Sequence, residues 1–385
     1  MVCPVCGKKS QYNQCPECGF DISQDYEGYP TLASLGEGMP SRAVFREDLK
    51  NLLRCRVCGG ISFRVNALED KLRCCNCGAE TYYQGKGKGK PWSKNILRSD
   101  EILPDVAEIR RRGTCAKYPV FGSKYPRSQI ASITFLNTVE GARADAWDVS
   151  EAGDGRVLAW VIPNGGLYDL YIGAEGGISA GKSCNTLFAG YEYVQQIFNL
   201  DFLHTENVQD MGFMFYECKS LTSLDLYRFD TSNVQNMTWM FDGCSLLTSL
   251  DLRSFDTSKV QNMIRMFSDC ISLTGLDLRS FDTSSVQNMS TMFYGCKSLT
   301  SLDLRSFDTS KVQDMSCMFC HCEALTSLDL SGFDTSNVRD MREMFRGCNS
   351  LISLDLSSFD TSNVLCTLCM FLYCPAGTKW QHLLK

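Results

Sequence analysis

Residues 255–267 read FDTSKVQNMIRMF, and close variants begin at Phe229, Phe281, Phe307, Phe333 and Phe359, a period of 26 residues. A period in this range marks an architecture built by stacking, because one such unit cannot bury its apolar face alone. Each unit holds two patterns. Leu250 and Leu252 alternate with Ser249, Asp251 and Arg253, as in a half-buried strand. Val260, Met263, Met266 and Phe267 follow at helical spacing. Ser258-x-x-Gln261 reads as a capping box, with Asp256 well placed at the helix start. The unit therefore predicts strand, turn and helix, then a bend at Gly243-Cys244. Leu247 to Phe255 fits LxxLxLxxF, the leucine-rich repeat signature. The expected fold is an α/β repeat solenoid of about seven units, with strands on the concave side and helices on the convex side.

The chain has 385 residues and a net charge of −6, unevenly spread. Residues 1–113 hold 18 Lys/Arg against 14 Asp/Glu (+4), and the rest 20 against 30 (−10). No apolar run reaches the ~18 residues of a membrane span, and MVCPVCGKKS at the start lacks the pattern of a signal peptide.

Eight of the 22 cysteines form two tetrads of CxxCG knuckles: Cys3, Cys6, Cys15 and Cys18, then Cys55, Cys58, Cys74 and Cys77. Paired knuckles close a tetrahedral Cys₄ site with no open position, so two structural zinc ions are expected. Segments this short bury too little core to fold alone, and metal would supply the missing free energy. Such tetrads also point to a reducing compartment, hence a cytoplasmic location. The predicted layout is ribbon 1 at 1–27, a linker with a short helix at 28–50, ribbon 2 at 51–83, a flexible linker at 84–113, a β-rich cap at 114–183 and repeats at 184–385. Basic residues around the second ribbon, Arg54 to Lys94, leave nucleic acid open as a partner.

Both tetrad segments resemble the zinc-ribbon family. From about Cys184 to Cys374 the wording FDTSNVxxMxxMFxxCxxLxSLDL resembles the BspA-like leucine-rich repeats of bacteria. Ile133-Thr-Phe135, Ala146 to Ser150 and Leu170-Tyr-Ile172 are similar to that family's lead-in. The resemblance implies a cell-surface adhesin that binds host or bacterial proteins. The ribbons stand where an export signal would sit, and favour an intracellular protein–protein scaffold instead.

Two rows follow from stacking. Cys218, Cys244, Cys270, Cys296, Cys322, Cys348 and Cys374 form one, read as small buried residues at a tight bend. Asp225, Asp251, Asp277, Asp303, Asp329 and Asp355 form the other, facing outward, with Arg253, Arg279 and Arg305 two residues on. This second row is the candidate partner-binding surface, for a protein of unknown identity. Gly176 to Ser183 matches GxxxxGK[ST] but opens straight into the repeats, so it is read as a Gly-rich turn. No nucleophile or metal-hydrolase constellation surrounds His204, His321 or His382, so a non-enzymatic role is expected.

Overall fold

The computed structural model describes residues 63–66, 71–74, 80–82, 91–98 and 115–384. The chain divides into two compact units, Met1–Gly89 and Lys90–Lys385. In the first, β1 (Phe63–Asn66), β2 (Lys71–Cys74) and β3 (Glu80–Tyr82) form an antiparallel meander.

The second unit opens with the cap. Its mixed five-stranded sheet has the order β5-β6-β7-β4-β9, from β4 (Ile130–Leu136), β5 (Trp147–Asp148), β6 (Leu158–Asn164), β7 (Leu167–Gly173) and β9 (Ile197–Phe198). Two boundaries differ from expectation. Ile96 and Leu97 bridge to Ser179 and Ser150, so the cap takes in residues expected to be linker. β9 pairs with β4, and β8 (Ile178–Ser179) pairs in parallel with β10 (Leu203–His204), so the first repeat is fused to the cap.

The repeats stack coil on coil. Parallel bridges run Ser183–Asp210–Asn236–Asn262–Asn288–Asp314–Asp340–Cys366, one residue per coil. The predicted inward set, Leu247, Leu250, Leu252, Phe255, Val260, Met263, Met266 and Phe267, is 0–7% exposed. A single hydrophobic cluster runs from the cap through the last coil. β11 (Ser327–Asp329) and β12 (Ser353–Asp355) pair in parallel on the Leu-Asp-Leu side.

The helix is not formed. Among the described residues the repeats contain no α-helix, and residues 263–270 make two successive turns. Met266 N–H donates to the Met263 carbonyl (3.2 Å) and Cys270 N–H to that of Phe267 (3.3 Å). Arg265 and Asp269, third in each turn, are left-handed at φ 55°. Left-handed residues four apart interrupt a helix, at about 1–2 kcal/mol each for a side chain other than Gly. The alternate N–H groups a helix would spend internally go to the next coil: Trp239 donates to Ile264 (2.8 Å), Phe241 to Met266 (2.9 Å) and Gly243 to Ser268 (2.9 Å). The capping box is likewise replaced by a local turn, in which Asp256 accepts from both the N–H (3.0 Å) and the hydroxyl (2.7 Å) of Ser258.

Two buried rows tie the coils together. Seven phenylalanines from Phe188 to Phe345, each stacked on its counterpart in the next coil, carry the row on to Phe371 at ring separations of 5.3–5.8 Å. The cysteines do more than fill space. Cys244 Sγ donates to the Phe215 carbonyl (3.2 Å), Cys270 to Phe241 (3.2 Å) and Cys296 to Phe267 (3.1 Å). The thiol thus supplies a weak donor that Ala or Val would lack. Burial pushes the Cys218 thiol up to about 12, so this row stays protonated and chemically quiet.

One buried ion pair makes stability depend on pH. Asp242 is 4% exposed and meets the Arg265 guanidinium, which also lies 4.3 Å over the Trp239 ring. Burial pushes the Asp242 carboxyl up to about 7 against the pull of Arg265. Its folded value exceeds the ordinary carboxylate value of about 4, so the folded chain holds the extra proton. The stability this adds is complete below about pH 4 and is lost as pH rises to about 7. Asp242→Asn should flatten that slope, worth at most roughly 1.4 kcal/mol per pH unit. Urea midpoints of both proteins at pH 5 and pH 8 check it.

Candidate interaction surface

The outward row lies on the Leu-Asp-Leu side of each coil. Leu250 and Leu252 point into the core, which fixes Asp251 between them on the outside. Every aspartate of the row also caps its own turn: Asp225, Asp251, Asp277, Asp303, Asp329 and Asp355 each accept the N–H two residues on, at 2.9–3.2 Å. In three coils an arginine side chain adds a two-pronged bond. Arg253 Nε and Nη2 donate to Asp251 at 3.0 and 2.7 Å. Arg279 meets Asp277, and Arg305 meets Asp303, at 2.9 and 2.8 Å in each case. These bonds hold the Asp277 and Asp303 carboxyls down at about 2. Asp277 and Asp303 therefore keep their charge throughout the neutral and mildly acidic range. The arginine side chains stay 71–75% exposed. Such exposed pairs add little stability; their effect is to present ordered, alternating charge to whatever approaches.

Of the eight expected zinc ligands, Cys3, Cys6, Cys15, Cys18, Cys55, Cys58 and Cys77 lie outside the described residues. Cys74 closes β2 and pairs in register with Phe63, the first residue of β1.

The GxxxxGK[ST] stretch is part of the stack. Ser183 is the first rung of the bridge ladder and the Lys182 carbonyl accepts from Gln209 N–H (2.8 Å). Among the described residues, 183–196 form a bridge and turns rather than a helix whose N–H groups could face a phosphate.

One groove was not anticipated. It lies where the helix was expected, encloses about 650 Å³, and is lined by Gln287, Lys311, Gln313, Asn337, Arg339, Asn363 and Leu365. Its signal in the sequence is the recurrence of Gln at 235, 261, 287 and 313, each N–H of which donates to the carbonyl one coil back.

A family model described as Mycoplasma protein of unknown function, DUF285, matches residues 182–301 and 272–379, together just over half of the chain. The chain belongs to this family. DUF285 membership covers the stacked coils and begins at the first rung of the ladder, and it accords with the BspA-like wording of the repeats. No curated protein and no solved structure matches the chain. Among the described residues no helix is long and apolar enough to cross a membrane.

Proposed function

We propose that this DUF285 protein is a non-enzymatic protein-binding scaffold: a leucine-rich solenoid whose Asp/Arg row receives a protein partner, preceded by two zinc-stabilised ribbons. The observation that carries the reading is the ordered charge of that row. Arg253, Arg279 and Arg305 are each fixed by two bonds to a carboxylate of their own coil, yet remain largely exposed. Long side chains already held in place lose less rotamer freedom when a partner docks, which favours binding over a surface of mobile charges. Stacking repeats the motif at roughly 4.8 Å intervals, so an elongated partner of mixed charge would meet several copies at once.

The test replaces Asp251, Asp277 and Asp303 together with Asn. Asn still accepts the turn N–H, so the coil is retained while the charge and the arginine anchors go. Proteins captured from the source cells by the wild type are expected to be lost, or weakened at least about tenfold, in the triple variant. Thermal unfolding of the two should agree within a few degrees. An identical capture profile would overturn the reading.

A further inference from the structure

Between the two turns of each coil lies a pair of positions, three residues apart, that each coil fills differently. At Glu343 and Arg346 the two side chains meet as an ion pair, Nη1 to Oε2 at 2.9 Å. At Phe213 and Tyr216 two rings pack edge to face at 5.7 Å. The equivalent positions one coil before Glu343 hold Cys317 and Cys320. Cys320 N–H donates to the Cys317 carbonyl (3.1 Å), closing the same tight turn. The ends of such a turn lie under about 7 Å apart at Cα, within the ~4.4–6.8 Å a disulfide spans. Cys317 is half-buried at the surface and Cys320 is buried behind it. A hydrogen bond from Cys320 lowers the Cys317 thiol below its ordinary value, Arg342 assists, and burial and Glu343 oppose. The same bond, with burial, pushes Cys320 up.

We propose that Cys317 and Cys320 form a thiol–disulfide exchange site whose substrate is a small disulfide. The Cys317 thiolate attacks one sulfur of the substrate, forming a mixed disulfide and releasing the other half as a thiol. Cys320 then gives up its proton and attacks the Cys317 sulfur, closing the Cys317–Cys320 bridge and releasing the second thiol. One substrate disulfide is reduced to two thiols while the pair is oxidised by two electrons. The six buried cysteines from Cys218 to Cys348 do not compete, since each donates its thiol to a backbone carbonyl in the core. Cys366 and Cys369 are half-buried and make the natural internal comparison.

The test incubates the full chain with glutathione disulfide, blocks remaining thiols with N-ethylmaleimide and maps the peptides. A Cys317–Cys320 bridge is expected, with two glutathione thiols released per bridge. Cys320→Ser should stop at a glutathione adduct on Cys317, and Cys317→Ser should yield neither adduct nor bridge. Both substitutions suit the coil, because Thr291 and Ser268 occupy the equivalent positions elsewhere. Cys317 and Cys320 both fully alkylated at every glutathione disulfide concentration would overturn the proposal. So would an adduct confined to Cys320, Cys366 or Cys369.

Discussion

Phe267→Ala is expected to break the stack into two separately unfolding parts. Phe267 is 0% exposed and lies between Phe241 and Phe293, with ring separations of 5.7 Å on both sides. Truncating a buried Phe to Ala costs about 3–5 kcal/mol. Here the loss falls on two interfaces at once, because the ring stacks on both neighbouring coils. In a stacked array stability is nearly a sum of unit and neighbour terms, so weakening one coil uncouples what lies before it from what lies after. The backbone of the coil has few other means of compensating, since its turns contain strained left-handed residues and rely on the neighbours for hydrogen bonds. Guanidinium denaturation followed by tryptophan fluorescence reads this in two backgrounds, one keeping only Trp239 and one only Trp380 of the five tryptophans. Trp239 precedes the lesion, and Trp380, which donates its indole N–H to the Leu354 carbonyl (3.1 Å), lies beyond it. The wild-type repeats should lose both signals in one transition, and the variant should lose them at separate midpoints. A single transition displaced by less than about 1 kcal/mol would contradict a core carried by the phenylalanine row.

Metal removal should have an equally large effect, confined to the other unit. If Cys3, Cys6, Cys15 and Cys18, and Cys55, Cys58, Cys74 and Cys77, each enclose one zinc ion, the bound metal contributes on the order of 10 kcal/mol to the folding of its ribbon. Chelation at neutral pH should release about two zinc ions per chain. It should also abolish amide-exchange protection across the strands Phe63–Asn66 and Lys71–Cys74. The unfolding midpoint of the repeats should not move, since their thiols serve the core. Protection in those strands that survives metal removal would contradict a zinc-dependent fold there.

Much of the stack was legible because burial obeys the period. Every residue assigned inward between Leu247 and Phe267 is buried, and the outward Asp251 is exposed. The expected helix is replaced by turns for a physical reason. Turns of three and four residues send Met263, Met266, Phe267 and Cys270 inward at i, i+3, i+4 and i+7, which is also the spacing of one face of a helix. Side-chain periodicity cannot separate the two. The distinguishing feature is the left-handed backbone at Arg265 and Asp269. Gly243, Gly295 and Gly347 hint at it, taking the position of Asp269 in other coils at φ 70–77°. In the interaction surface, the positions of the aspartates and arginines followed from the repeat, but their pairing within one coil did not. The sequence places Asp277 about as near to Arg253 of the coil before as to Arg279, and only the turn geometry selects the latter.

The most direct measurement is site-specific photo-crosslinking in the source cells. A photoreactive residue would replace Ser301, exposed beside Asp303 on the charged row, and in a second protein Gln287, exposed in the groove on the other side of the coil. A discrete protein adduct is expected at position 301, and it should vanish when Asp251, Asp277 and Asp303 are changed to Asn. No adduct at 301, or an adduct at 287 alone, would contradict a partner bound on the Asp/Arg row.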